Sequence, residues 1–400
     1  MRVVALGGAG EMGRAAARVL HGDSRVTALT IADRDESAAH AVAAELGAKA
    51  RGRRLDVTDG PSLTAALREA DLVVNTVGPY FRFGPPILAA AIAAHCDYID
   101  ICDDPQPTMD MLELDAQARA AGVTALVGMG ASPGIANLLA VLAGSELDRV
   151  DSVVTGWNIH SAHTEPAGQC ATAAVVHGML QIAGDIPVIR DGVRTQRPAL
   201  ERMRIDYPGL GTGEGRSFGH PEAITVSRAF PELRDATTVV VGDRSTSAAL
   251  LALRWAMGAR LLTLDQAAGL AARVERLLPA DPAKLITAGG LPPLFAIATG
   301  LREGVAATAA TALCQVPGLT MADNTGVPLA VAALSGSRNP GVHTPETLLD
   351  PHEFFAAFAP HCLGAPSPAA MTVTTRSWAT EEDNTAALSS ALLTALLTTK

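Results

Sequence analysis

Basic residues, aromatic side chains and paired cysteines are all scarce in this 400-residue chain. Lys and Arg number 31 against 41 Asp and Glu, a net charge of −10, and only 3 Trp, 3 Tyr and 8 Phe are present. Nucleic-acid binding needs a basic face and stacking platforms, so nucleic acid is excluded as a partner. The five cysteines (Cys96, Cys102, Cys170, Cys314, Cys362) are scattered and form no CxxC pair. That pattern fits a reduced, cytoplasmic protein without structural zinc. No charge occurs from Ala120 to Ser145, but the stretch collects Gly122, Gly128, Gly130, Pro133 and Gly134. A spanning helix would not hold these in its middle, so no membrane partner is expected. Arg2–Leu6 meets glycines after five residues, unlike the long apolar region of a signal peptide.

What is present is a hydrophobic share of 48%, enough for two folded domains. The first 130 residues alternate strand and helix. Strands are expected at Arg2–Leu6, Val26–Ala32, before Asp56, and at Leu72–Asn75, Asp97–Asp100 and Val123–Val127. Helices are expected up to Leu20, at Ser37–Leu46, after an Asp59 cap, at Pro85–His95 and at Met109–Ala121. Near-continuous apolar strands in β-α alternation mean an α/β fold, with a doubly wound parallel sheet covered on both faces.

Gly8-x-Gly10-x-x-Gly13 follows the first strand and opens a helix, and Asp33 ends the second strand 20 residues later. In such a unit the glycines permit a tight turn, close approach of backbone to a pyrophosphate, and tight helix packing. Gly8, Ala9, Gly10, Glu11, Met12 and Gly13 are therefore candidate dinucleotide contacts. Asp33 can accept from ribose hydroxyls and repel a 2′-phosphate, whereas the Arg34 guanidinium can bind that phosphate. Either NAD or NADP fits, with the carboxylate tilting the balance slightly to NAD. Asp56 and Val57 are placed at the adenine edge, and Thr76, Val77 and Gly78 on the nicotinamide side.

Past residue 130 the pattern changes. Asp151–Asn158 alternates as an antiparallel strand does. Ala171–Ala183, Ser247–Ala256 and Thr263–Leu278 read as helices and Thr237–Gly242 as a strand. Asp185–Pro221 reads as loops around a sheet. Leu291–Ala298 and Ala306–Leu313 fit either sheet or helix. Thr325–Leu334 and Ala386–Thr399 read as helices, the latter docking on the first domain.

Gly7–Gly13, Ala32–Asp35, Val74–Tyr80 with Phe83-Gly84, Asp97–Asp100, Gly128–Asn137 and Thr325–Ala333 together resemble the saccharopine dehydrogenase (saccharopine reductase-like) family. The resemblance implies an N-terminal Rossmann domain (1–130) and an α/β substrate domain of mixed sheet with dimer contacts (131–345). A C-terminal segment (346–400) returns to the Rossmann domain. It also implies a homodimer and reversible NAD(P)-linked reduction of an imine, formed from an amine or amino acid and a carbonyl. Where saccharopine and carboxynorspermidine enzymes resemble Gly-x-Asp-Pro-Gly, this chain reads Gly130-Ala-Ser132-Pro-Gly134. That loss of a carboxylate keeps a carbonyl or alcohol substrate open as a second reading. A redox-silent dinucleotide-binding protein is a third.

Hydride chemistry needs a positioned acceptor and one proton-handling group. His220 and Glu222 around Pro221 are the first candidates, because histidine titrates nearest neutrality. Tyr80 can donate a phenol to a substrate carbonyl, and Asp103 can act as a base at the sheet's carboxyl edge. Asp104, Ser132, Trp157, Asn158 and His160 are candidate substrate contacts, with Arg82 a possible carboxylate clamp. His160 and His163 lack a carboxylate at convincing spacing, so no metal is expected.

Overall fold

Runs such as Val3–Leu6 and Leu72–Asn75 have no polar face to turn to water, so they end up as strands buried on both sides. The computed structural model describes residues 1–159, 173–277 and 290–398. Its first elements are β1 (Arg2–Leu6), α1 (Glu11–Gly22), β2 (Ala28–Asp33), α2 (Glu36–Leu46), β3 (Ala50–Arg54) and α3 (Gly60–Arg68). They continue with β4 (Leu72–Asn75), α4 (Tyr80–Ala93), β5 (Asp97–Asp100), α5 (Pro105–Leu112), α6 (Asp115–Ala121) and β6 (Thr124–Leu126). The parallel sheet runs β6-β5-β4-β1-β2-β3, with a late strand, Gly341–His343, pairing in parallel beside β6. Its strand order reverses at β1, the switch point where ligands bind in such sheets. The expected doubly wound sheet is therefore present.

Local chemistry sets the element ends. Asp35 caps α2 by accepting from Ala38 N, and Asp59 caps α3 by accepting from Ser62 N. The expected helix at Pro85 begins earlier, at Tyr80, with Pro85 and Pro86 inside it. The expected helix 109–121 is two helices, α5 and α6. The helix Met321–Leu334 lies tightly on α1: a Cβ at Gly326 would meet Met12 O at 2.4 Å and Ala16 N at 2.9 Å.

The second unit begins within α7 (Ile135–Gly144), then β7 (Arg149–Asn158), α8 (Ala173–Ile182), β8 (Asp185–Arg190), β9 (Val193–Pro198), β10 (Arg202–Tyr207) and β11 (Gly211–Ser217). α9 (Glu222–Thr225), β12 (Asp235–Val241), α10 (Arg244–Gly258), α11 (Leu264–Leu277), β13 (Leu294–Arg302) and β14 (Val305–Leu313) follow. Its mixed sheet runs β10-β11-β12-β7-β13-β14 and ends on a strand at Thr372–Arg376; β8 pairs with β12 and β9. Only the β12–β7 pair on that path is parallel. The segment read as loops, Asp185–Pro221, is four strands, and both ambiguous segments near 291 and 306 are strands. Arg376 makes a bidentate, partly buried pair with Glu146, 2.7 and 2.5 Å, which ties the last strand to the end of α7.

The expected division at 130 and 345 shifts. One unit comprises Met1–Ile135 and Thr320–His361, the other Ala136–Leu319 and the chain from Cys362 onward. The return to the Rossmann unit is thus made by 320–361, because Gly341–His343 completes its sheet. The C-terminal strand belongs instead to the second sheet, pairing with β14. Among the described residues no helix is long and apolar enough to cross a membrane.

Candidate functional sites

The glycine turn is built as its spacing requires. Gly7 sits at φ +69°, and the N–H groups of Gly7 and Gly8 both reach Ala32 O, at 2.9 and 3.3 Å. Gly10 N donates to Gly7 O at 2.9 Å and occupies the N-cap of α1, where no side chain caps the helix. The helix's leading amides are thus presented to an anion. Gly13 and Gly10 do different work. A Cβ on Gly13 would lie 2.3 Å from Gly7 O, so that position exists to pack helix on turn. A Cβ on Gly10 would meet nothing nearer than 3.3 Å, and the residue is exposed. Gly10 leaves room on the outer side, where a bound group approaches. Ala9, Glu11 and Met12 are partly exposed around it, and Gly8 is buried.

Asp33 ends β2 half-buried, its Oδ1 accepting from Asp35 N at 3.1 Å; Arg34 beside it is exposed. The register sets Arg54 opposite Asp33 on β3. Asp56 accepts from the hydroxyl and N–H of Thr58, at 2.7 and 2.9 Å. Those bonds, with Arg34 and Arg54 nearby, hold its carboxyl below the usual range. Val57 packs on the Rossmann core.

The nicotinamide-side turn hangs on a hydrogen-bond chain that the sequence did not advertise. Thr76 Oγ1 lies 2.9 Å from Leu6 O and 3.2 Å from Gly7 O, joining this turn to the glycine turn. Asn75 Oδ1 accepts from Val77 N at 3.0 Å, which fixes the amide's orientation, and Nδ2 donates to Tyr98 Oη at 2.9 Å. Tyr98 Oη donates to Asp100 Oδ2 at 2.7 Å. Asp100 Oδ1 accepts from Cys102 N at 3.0 Å and Gly128 N at 2.8 Å. Asn75, Tyr98 and Asp100 are all buried, and burial lifts the Asp100 carboxyl to about 6 against the pull of these donors. Gly78 is half-buried at the turn's end.

Tyr80 corrects an expectation. Its hydroxyl donates to Asn75 O at 2.9 Å inside the core, and burial pushes the phenol well above its ordinary range. The side chain braces the turn rather than facing substrate, because α4 starts at this residue and turns it inward. At the carboxyl edge of β5, Asp103 is half-buried and Asp104 is buried at the N-cap of α5, without capping it through its side chain. Arg82 is exposed and stacks over the Phe83 ring at 5.0 Å, and Ser132 is half-buried.

In the second unit, His220 Nδ1 lies 3.4 Å from Glu222 Oε2, with His220 4% and Glu222 0% exposed. The imidazole is stacked on Trp157, 6.0 Å between centroids, and meets Phe218 edge-on at 5.3 Å. Trp157 and Asn158 end β7, next to β12; Asn158 is buried. His160 and His163 lie outside the described residues. The fold thus brings His220, Glu222 and Trp157 together from two separate stretches of the chain.

Residues 3–126 match the saccharopine dehydrogenase NADP-binding domain family. Carboxynorspermidine synthase of Vibrio alginolyticus is 25% identical over 213 residues, 49% of this chain and 50% of that protein. A trans-acting enoyl reductase of Mycobacterium leprae is 31% identical over 132 residues, 32% of each chain. The chain therefore spans about half or less of the length of these curated relatives. Saccharopine dehydrogenase (L-Glu forming) of Saccharomyces cerevisiae superposes with a TM-score of 0.60 at 18% identity, covering 90% of this chain and 96% of that one. Over that span the chain shares its fold.

Proposed function

We propose that the protein is an NAD(P)-dependent oxidoreductase that acts on a C–N bond, interconverting an imine with its amine or amino-acid product. The observation that carries the dinucleotide reading is the uncapped N-terminus of α1 behind a glycine turn whose Gly10 is open while Gly13 is closed. A bound nicotinamide dinucleotide supplies the hydride. Gly8 to Gly13 hold the pyrophosphate, and Asp33 accepts from the ribose diol. Arg34, with Arg54 opposite Asp33, meets a 2′-phosphate where one is present. Thr76, Val77 and Gly78 present backbone on the nicotinamide side.

The chain's own acid–base groups handle the proton. His220, buried beside Glu222, is the chain's candidate for handling the proton, with the carboxylate orienting its imidazole. Asp103 and Asp104 supply carboxylates to a substrate ammonium. The carboxynorspermidine synthase relative supports the C–N reading. Ser132, where the family resemblance leads one to expect an acid, favours a second reading with a carbonyl or alcohol substrate. We also read the protein as a homodimer, in line with the family resemblance.

Absorbance at 340 nm with candidate carbonyls, with and without an amine, tests both. Amine-dependent oxidation of the reduced cofactor supports the C–N reading, and amine-independent oxidation supports the second. Tight cofactor binding with no turnover on any substrate would leave the redox-silent reading.

A further inference from the structure

The Asn75–Tyr98–Asp100 chain is more elaborate than packing requires. Asn75 and Asp100 are register partners on adjacent parallel strands, and Tyr98 stands on the same side of β5 as Asp100, two residues away. Together they join the ends of β4, β5 and β6, three neighbours at the carboxyl edge of the sheet. Through Thr76 the chain continues to Leu6 and Gly7. Hydrogen bonds on either side of the Asn75–Val77 backbone thus tie the glycine turn to Gly128. Burying an aspartate costs several kcal/mol unless its oxygens are satisfied, and three donors satisfy this one.

We propose that Asn75, Tyr98 and Asp100 are positioning residues for the dinucleotide, fixing the turn Asn75–Gly78 in the arrangement that receives its nicotinamide half. This rests on the dinucleotide reading above. The adenine half is met by Asp33 and Arg34 at the end of β2, a strand the chain does not reach. Loosening the chain should therefore weaken binding of the whole cofactor and spare its adenine portion.

The chain is also sensitive to protonation. A proton on Asp100 Oδ2 takes away the acceptor that Tyr98 donates to, and the nearest remaining acceptor, Met111 Sδ, is 4.0 Å from Tyr98 Oη. The other ionisable groups around Asp100 are Tyr98 and Tyr80 from the strand and α4, and Cys102 and Asp103 from the turn after β5. Burial keeps both phenols and the Cys102 thiol neutral. Only Asp103 adds charge of its own.

The test is a fluorescence titration of the full chain with NADP⁺ and with 2′,5′-ADP, or with NAD⁺ and ADP if NAD⁺ is the tighter ligand, at pH 5.0 and 8.0. A 2′-phosphate titrates near pH 6 itself, so the readout is the ratio of the two affinities, in which that effect cancels. In wild type the ratio should favour the whole cofactor several-fold more at pH 8.0 than at 5.0. Tyr98→Phe should lower the ratio about tenfold at pH 8.0, with adenine-half affinity changed less than twofold. Asp100→Asn should make the ratio insensitive to pH. Equal losses for cofactor and adenine half would mean the chain is merely structural. Unchanged ratios in both variants would equally overturn its positioning role. Failure of the wild type to bind any of these nucleotides would instead overturn the dinucleotide reading and, with it, this one.

Discussion

Gly13→Ala and Gly10→Ala separate packing from ligand access within one turn. At Gly13 the added Cβ would lie 2.3 Å from Gly7 O, 2.8 Å from Gly8 Cα and 3.0 Å from Gly7 C. All three are main-chain atoms of the turn, so no side-chain rotation relieves the clash, and α1 must back away by about 1 Å to reach ordinary contact. Overpacking of this kind costs about 3 kcal/mol. Alanine's better helix propensity returns about 1 kcal/mol, leaving about 2 kcal/mol. For a unit the size of Met1–Ile135 with Thr320–His361, each kcal/mol moves Tm by about 2–4 °C. Gly13→Ala should therefore melt about 4–8 °C below wild type.

At Gly10 only Gly7 O lies within 4 Å, at 3.3 Å, and φ is −72°, a value alanine adopts freely. Loss of a glycine N-cap costs about 0.5–1 kcal/mol, a Tm drop of about 1–4 °C. Yet its methyl group would occupy the space left for a pyrophosphate, so NAD(P) affinity should fall tenfold or more. Thermal melts by circular dichroism and cofactor titrations on both variants are sufficient. A Gly13→Ala protein that melts with wild type, or a Gly10→Ala protein that binds normally, would refute the division of labour.

Asp33→Ala should weaken NAD⁺ more than NADP⁺ in parallel titrations, since a carboxylate on the ribose diol serves only the former; equal losses would remove Asp33 from that role. His220→Gln should cut turnover while leaving cofactor Kd within twofold, and unchanged turnover would return His220 to a packing role against Trp157. Asp100 also predicts a pH-dependent stability. Its carboxyl sits at about 6 when folded and near 4 when unfolded. Between these values the folded chain keeps a proton that the unfolded chain has lost. Its contribution to stability therefore falls as pH rises from about 4 to 6, by about 3 kcal/mol in all, and is level above that. Urea unfolding of wild type and Asp100→Asn at pH 4.5, 6.0 and 7.5 should show that drop in their difference; a constant difference would contradict it.

The Rossmann half was legible because most of its strands are apolar on both faces. Leu72–Asn75 and Asp97–Asp100 match to the residue. β9 and β11 were missed for the opposite reason. Val193–Pro198 is exposed along nearly its whole length, and Gly211–Ser217 holds three glycines and one charge of each sign. Neither offers the apolar alternation by which a strand is read. The helix start at Tyr80 was hidden by Pro85 and Pro86, residues that ordinarily begin a helix. At the site, glycine spacing is a local signal and so could be read. Asn75, Tyr98 and Asp100 acquire their roles only through the pairing of β4 with β5, a long-range fact with no trace in composition or spacing.

The interleaving of the two units has a consequence for how the protein is made. When residues 1–135 have left the ribosome, six strands of the parallel sheet exist. The strand Gly341–His343 that borders β6, and the helix that seats Gly326 on α1, do not. At about 5–20 residues per second, roughly 200 further residues take about 10–40 s to appear. Until then β6 is an unprotected edge, the kind of surface on which nascent chains pair wrongly. A fragment cut after Ile135 would carry that edge permanently. One that grafts Thr320–His361 onto Ile135 through a linker would close it, and is the self-sufficient form in which this nucleotide-binding half should be borrowed for engineering.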